Sequence, residues 1–121
     1  MIRSRKGFTL IELLIVVVII GILASIAIPK FGSTKTQAQI GTLKADLRNL
    51  ATAQETYFAQ FNTYADATIS STFFQPSANV TVGIDVGAGS WIATASYAGV
   101  TSKCSLTVGG ALTTDGAPIC F

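Results

Sequence analysis

The chain has no histidine and only two cysteines, Cys104 and Cys120, in 121 residues. Without an imidazole, no side chain titrates near neutrality in its ordinary state, and no paired carboxylates at a readable spacing take over acid–base work. Neither thiol has an activating base in the sequence, so nucleophilic catalysis lacks its parts. Two cysteines and scattered acids do not make a metal cluster. In the late region only Asp85 and Asp115 are available, too few for an oxygen cage around calcium. Charged residues make up just 12% of the chain, and Lys30, Lys35, Lys44, Arg48 and Lys103 form no basic run suited to nucleic acid. Glycines 83, 87, 89 and 99 punctuate strand-like segments and do not form a phosphate loop opening a helix. These absences point away from an enzyme, a cofactor-dependent or metal protein and a nucleic-acid binder.

Charge is scarcest between Phe8 and Ile28, where FTLIELLIVVVIIGILASIAI contains a single ionisable residue, Glu12. As a helix this segment rises about 32 Å, enough to cross a hydrocarbon core of ~30 Å. A carboxylate inside it costs roughly 2.5–3.5 kcal/mol on insertion scales, so it needs access to the headgroups or a partner. A proton relay would need more intramembrane polar groups than Thr9 and Ser25.

The residues before the run, MIRSRKG, are strongly cationic through Arg3, Arg5 and Lys6. A secretory signal peptide carries its small-residue cleavage site after the apolar stretch, whereas Gly7 stands before it and the stretch is too long. The junction Lys6-Gly7-Phe8-Thr9-Leu10-Ile11-Glu12, with the apolar run on to Pro29, resembles the class III signal peptide of type IV prepilins and the related pseudopilins. The resemblance implies that a prepilin peptidase cuts between Gly7 and Phe8 and methylates the new amine of Phe8. Glu12 lies one helical turn from that amine, so a pair within one copy is open; the resemblance implies instead that Glu12 meets the Phe8 amine of a neighbouring copy, removing a lone charge from an apolar fibre core and setting axial register. Opposite charges attract strongly in such a medium, while each alone is poorly solvated.

The formal charge of +2 includes the leader's three cations, so the remaining side chains sum to −1. Those three cations are a topology signal: residues 1–7 stay cytoplasmic and Lys30 onward is exported. The expected location is the bacterial inner membrane as a precursor, then an extracellular pilus. An oxidising exterior permits a Cys104–Cys120 disulfide, which closes a loop worth about 3 kcal/mol in the loop-entropy model. The resemblance points the same way, because many pilins staple a C-terminal loop; two free thiols are the alternative.

Beyond the membrane segment, Ile40, Leu43, Leu47, Leu50, Tyr57 and Phe61 recur at helical spacing, with Gln54 at the missing step. One helix is therefore expected from Phe8 to about Phe61, apolar all round over 8–28 and amphipathic over 29–61. Gly21 and Pro29 interrupt its regularity, and a kink is expected there. The resemblance adds that in many assembled pili the stretch from Gly21 to Lys30 loses helical order. Aromatics at helical spacing, among them Phe31, Tyr57, Phe58, Phe61 and Tyr64, read as core filling in preference to a conduction path.

Residues 62–79 read as a connecting loop anchored by Tyr64, Phe73 and Phe74. The period then becomes two: Val80, Val82, Ile84 and Val86 form one strand, and Trp91, Ala93, Ala95 and Tyr97 share a side of the next. Residues 87–90 are a hairpin loop, Cys104, Leu106 and Val108 mark a third strand, and Ala111–Thr113 a short fourth. The expected fold is α+β, an antiparallel sheet over residues 80–121 with its disulfide-closed loop, laid across the amphipathic half of the helix.

The leading function is a structural subunit of a type IV pilus, assembled by helix packing into a helical homo-oligomer serving adhesion, twitching motility or DNA uptake. Its partners are its own copies, the prepilin peptidase and the pilus assembly machinery of the inner membrane. The alternative is a pseudopilin of a type II secretion system, whose major members tend to replace the disulfide with a calcium loop. A third class is a monomeric, membrane-anchored binding domain using the sheet face that carries Trp91.

Overall fold

The computed structural model describes residues 5–67, 69–110 and 116–121. A single helix, α1 (Leu10–Phe61), precedes four strands: β1 (Val80–Gly87), β2 (Ser90–Tyr97), β3 (Lys103–Val108) and β4 (Ile119–Cys120). The chain divides into two compact units, residues 1–35 and 36–121.

In the first unit the helix has no buried stripe. Its large apolar side chains from Leu10 to Ile28 are all exposed, from 46% at Val16 to 82% at Leu10. A helix that is apolar on every side suits hydrocarbon and not a water-facing surface. Among the described residues, α1 is the one helix long and apolar enough to cross a membrane. Its hydroxyls are turned back on the backbone: Ser25 Oγ donates to the Ile22 carbonyl at 2.7 Å, which spares the segment a bare polar group. Ser33 and Thr34 both donate to the Lys30 carbonyl, at 2.9 and 3.0 Å. Pro29 lies inside the continuous helix. It has no N–H to offer the Ser25 carbonyl, so one rung of the helical ladder is missing there while the helix itself runs on.

In the second unit the helical stripe is the core. Leu43, Leu47 and Leu50 are fully buried and cluster with Val80 and Ile84 of β1, Trp91, Ala93 and Ala95 of β2, and Cys104 and Leu106 of β3. Each leucine contributes roughly 1.5–3 kcal/mol by leaving water. Two alanines in the second strand keep that part of the sheet's inner face low, leaving volume for leucines. The sheet is antiparallel in the order β1-β2-β3-β4. Gly87 pairs with Ser90, so the first hairpin closes through Ala88 and Gly89 alone, with Gly89 at φ +74°.

Two buried polar side chains pin the 62–79 loop against the helix. Gln54, at the gap in the apolar stripe, is fully buried; its Nε2 donates to the Ala65 carbonyl at 2.6 Å and its Oε1 accepts the Ala65 N–H at 2.9 Å. Asp46 accepts the Ser77 N–H at 2.9 Å and the Ser77 hydroxyl at 2.8 Å. Between these anchors Phe74 is buried, and Phe73 meets Tyr57 edge-on with ring centroids 5.3 Å apart.

Several expectations are corrected at the ends of elements. The helix starts at Leu10 and not at Phe8. Phe61, its last residue, stacks on Tyr57 and meets Phe73 through one side, leaving it 55% exposed. Val86, near the end of edge strand β1, is 40% exposed because it borders an open groove instead of the core. The fourth strand expected at Ala111–Thr113 lies outside the described residues; a two-residue strand, β4, instead pairs with β3 at Ile119–Cys120. Trp91 is 1% exposed, so the face it shares with Ala93 and Ala95 is the core face. That removes it as a binding surface and with it the basis of the third functional class.

Replacing Gln54 by Leu would keep the apolar stripe but strand both backbone groups of Ala65 without partners. The sheet domain should lose about 2–4 kcal/mol in urea unfolding followed by circular dichroism. A change below about 0.5 kcal/mol would mean that water replaces the amide at no cost.

Candidate assembly site at the helix N-terminus

Thr9 is the residue immediately before α1 and Glu12 stands three positions later, in the spacing of a capping box. The geometry is that of one. Glu12 Oε2 accepts the Thr9 N–H at 2.8 Å and the Thr9 hydroxyl at 2.7 Å, while the Glu12 N–H donates back to Thr9 Oγ1 at 3.3 Å. These bonds occupy N–H groups that a helix start otherwise leaves orphaned, and Glu12 sits in the first turn, where the helix dipole favours negative charge. They also explain why helical order begins at Leu10.

Glu12 is thus held by its own chain through one oxygen. Oε1 has no hydrogen-bond partner among the described residues, and Glu12 as a whole is exposed. Gly7 and Phe8 are exposed and precede the helix, and nothing within 4 Å would meet a side chain added at Gly7. Phe8 and Glu12 are not hydrogen-bonded to each other; in the uncut chain Phe8 N is a peptide nitrogen, not a cationic amine. Sequence reading singled out Glu12 but overlooked Thr9 as its partner, although the Thr-x-x-Glu spacing carries that signal.

At the other end of the chain, Cys104 and Cys120 are disulfide-bonded, with Cα atoms 4.0 Å apart on paired positions of β3 and β4. The Lys103 and Phe121 backbones exchange two hydrogen bonds of 2.9 Å, and the Gly116 N–H donates to the Thr107 carbonyl at 2.8 Å. Gly109, at φ +78°, lies so close to the first hairpin that a side chain there would strike the Gly89 carbonyl. No group of three or more potential metal ligands occurs among the described residues.

Residues 2–28 match the family model of the prokaryotic N-terminal methylation motif. The chain is 39% identical over 103 residues to the type IV wide pilus major component PilA4 of Thermus thermophilus, covering 82% of this chain and 79% of that protein. It is 48% identical over 62 residues to the type IV major pilin protein PilA of Myxococcus xanthus, over 51% of this chain and 28% of that one. It is also 44% identical over 55 residues to the type II secretion system core protein G of Pseudomonas aeruginosa, over 46% of this chain and 39% of that one. The aligned regions thus span well under half the length of the latter two relatives. No solved structure matches. The chain belongs to the type IV pilin family, and its long helix followed by an antiparallel sheet agrees with that membership.

Changing Cys104 and Cys120 together to Ser should lower the stability of the sheet domain by about 2–4 kcal/mol, measured by thermal unfolding. Membrane insertion should be unchanged because Phe8 to Ile28 is untouched. A double variant as stable as the parent would assign the disulfide no structural role.

Proposed function

We propose that the protein is a structural subunit of a type IV pilus. It is made as a precursor anchored in the inner membrane, processed at its N-terminus, and packed by its apolar helix half into an extracellular fibre. The observation that carries this reading is the helix half from Leu10 to Ile28, exposed on all its apolar sides, whose one carboxylate, Glu12, is capped through Oε2 alone. Such a surface finds its cover first in lipid and then in other copies of itself. The prepilin peptidase removes residues 1–7 and methylates Phe8, and the new amine of one copy takes the free side of a neighbour's Glu12. Residues 8–28 are the assembly half, with 29–61 the helix of the exported domain, 62–79 its connecting loop and 80–121 its sheet. Gly21 and the missing hydrogen bond at Pro29 mark where this helix yields during assembly.

The pseudopilin alternative draws support from the secretion-system relative. The Cys104–Cys120 closure and the relative that aligns over most of both chains favour the pilus. Nothing in either role calls for catalysis.

Gly7→Val should leave an uncut precursor in the membrane, and mass analysis of the parent's mature N-terminus should find methylated Phe8. A mature chain beginning elsewhere would overturn the processing site. Glu12→Ala should insert normally, since it removes an insertion cost of roughly 2.5–3.5 kcal/mol. It should nevertheless abolish most of the fibre recovered by shearing. Undiminished fibre in that variant would dismiss the pairing of Glu12 with a neighbouring amine.

A further inference from the structure

Charge along the exported part of the chain is segregated. The helix from Lys30 to Arg48 carries Lys30, Lys35, Lys44 and Arg48 against one acid, Asp46, which is buried and committed to Ser77. Beyond Arg48 the balance reverses: Glu55, Asp66, Asp85 and Asp115 face a single cation, Lys103. None of the four helix cations forms an ion pair among the described residues. Cations without an ion pair on one stretch of helix are suited to meet a complementary acidic surface elsewhere.

The acidic side has a shaped receptor. Between the end of α1, the 62–79 loop and the edge strand β1 lies a groove of about 650 Å³ lined by Tyr57, Tyr64, Asp66, Ile69, Asp85 and Val86. Asp66 and Asp85 are both exposed, and Asp85 has no ion pair among the described residues. The Tyr64 hydroxyl donates to Glu55 at 3.2 Å, which holds a third carboxylate close to the groove's tyrosine wall. Carboxylates beside tyrosine rings suit an ammonium or guanidinium, because the ring faces attract cations and the aliphatic stem covers the apolar wall.

We propose that this groove receives Lys44 and Arg48 of a second copy of the chain, a contact that rests on the fibre reading and specifies how neighbouring exported domains meet. Lys44 and Arg48 are one helical turn apart on a single face, about 6 Å along the axis, so both can address one groove. They precede Tyr57 by 13 and 9 residues. Parallel copies offset axially by about 14–20 Å bring one copy's cations level with the other's groove. Receptor and ligand are different patches of the same chain, so the contact is heterologous: each copy gives once and receives once, and the series continues instead of closing as a dimer. Lys30 and Lys35 add to the field that steers the approach.

Native sheared fibres treated with a carbodiimide, which joins an amine directly to a carboxylate, should give covalent dimers on denaturing gels. Mass spectrometry should locate the links between Lys44 and Asp66 or Asp85. In cells, Lys44→Glu with Arg48→Glu should cut fibre yield by about tenfold or more, and Asp66→Lys with Asp85→Lys should do the same. Combining all four reversals in one chain should restore most of the yield, since every copy then carries the swapped pair. Links that consistently join other acids, or fibre yield indifferent to both reversals, would overturn the contact and give the groove another occupant. Absence of fibres from the parent chain would instead overturn the pilus reading itself.

Discussion

The burial of Leu43, Leu47 and Leu50 under a sheet is the constraint on which the rest of the sheet domain depends. A helix only one of whose faces is apolar must have that face covered, and the strands must supply a surface low enough to approach. Ala93 and Ala95 provide that clearance beside the bulk of Trp91. Once the helix is seated, its two buried polar side chains acquire fixed positions, and each takes hold of a distant piece of backbone. Gln54 closes on Ala65 soon after the helix ends, and Asp46 closes on Ser77 just before the sheet begins. Eighteen residues of irregular chain are thereby fastened at both ends without needing much core of their own.

The two halves of α1 solve opposite problems with one backbone geometry. In the first half nearly every side chain is apolar, and the difficulty is what to do with the few polar atoms. Ser25 returns its proton to the backbone, and Glu12 spends one oxygen on Thr9. In the second half the polar atoms are plentiful, and the difficulty is choosing which to bury. Asp46 and Gln54 are admitted because loop groups satisfy them, while Lys44 and Arg48 stay out of the core. One helix thus meets two environments, an exposed apolar surface at one end and its own sheet at the other.

Much of this was legible in the residues. The leucine stripe, the alternation of Trp91, Ala93 and Ala95 and the hairpin at Gly87–Ser90 all follow from period and turn chemistry, while the two cysteines left free thiols open until the structure joined them. The junction around Gly7 and Glu12 was legible as a family pattern. What escaped was of two kinds. Element ends escaped because periodicity says which face a residue occupies but not whether a partner extends far enough to cover it; Phe61 and Val86 are on the right faces and still meet solvent. Polar anchors escaped because the partner lies far along the chain: Gln54 was visible as a gap in the stripe, yet nothing near it names Ala65, and Asp46 reaches Ser77 across 31 positions. The Thr9 capping box is a different case. Its spacing was plain, but the cost of a charge in lipid drew attention to what Glu12 lacks and away from what it already holds.

Trp91 is the chain's only tryptophan, and it is enclosed in the sheet domain with its indole nitrogen unpartnered among the described residues. The membrane half of the helix contains none. The protein therefore carries a built-in optical reporter confined to one of its two units. Its emission should shift to longer wavelength when the sheet opens and remain indifferent to events between Phe8 and Ile28, whether in detergent, bilayer or fibre. Folding of the sheet domain can thus be followed separately from events in the apolar helix half, in the unmodified protein and without a label.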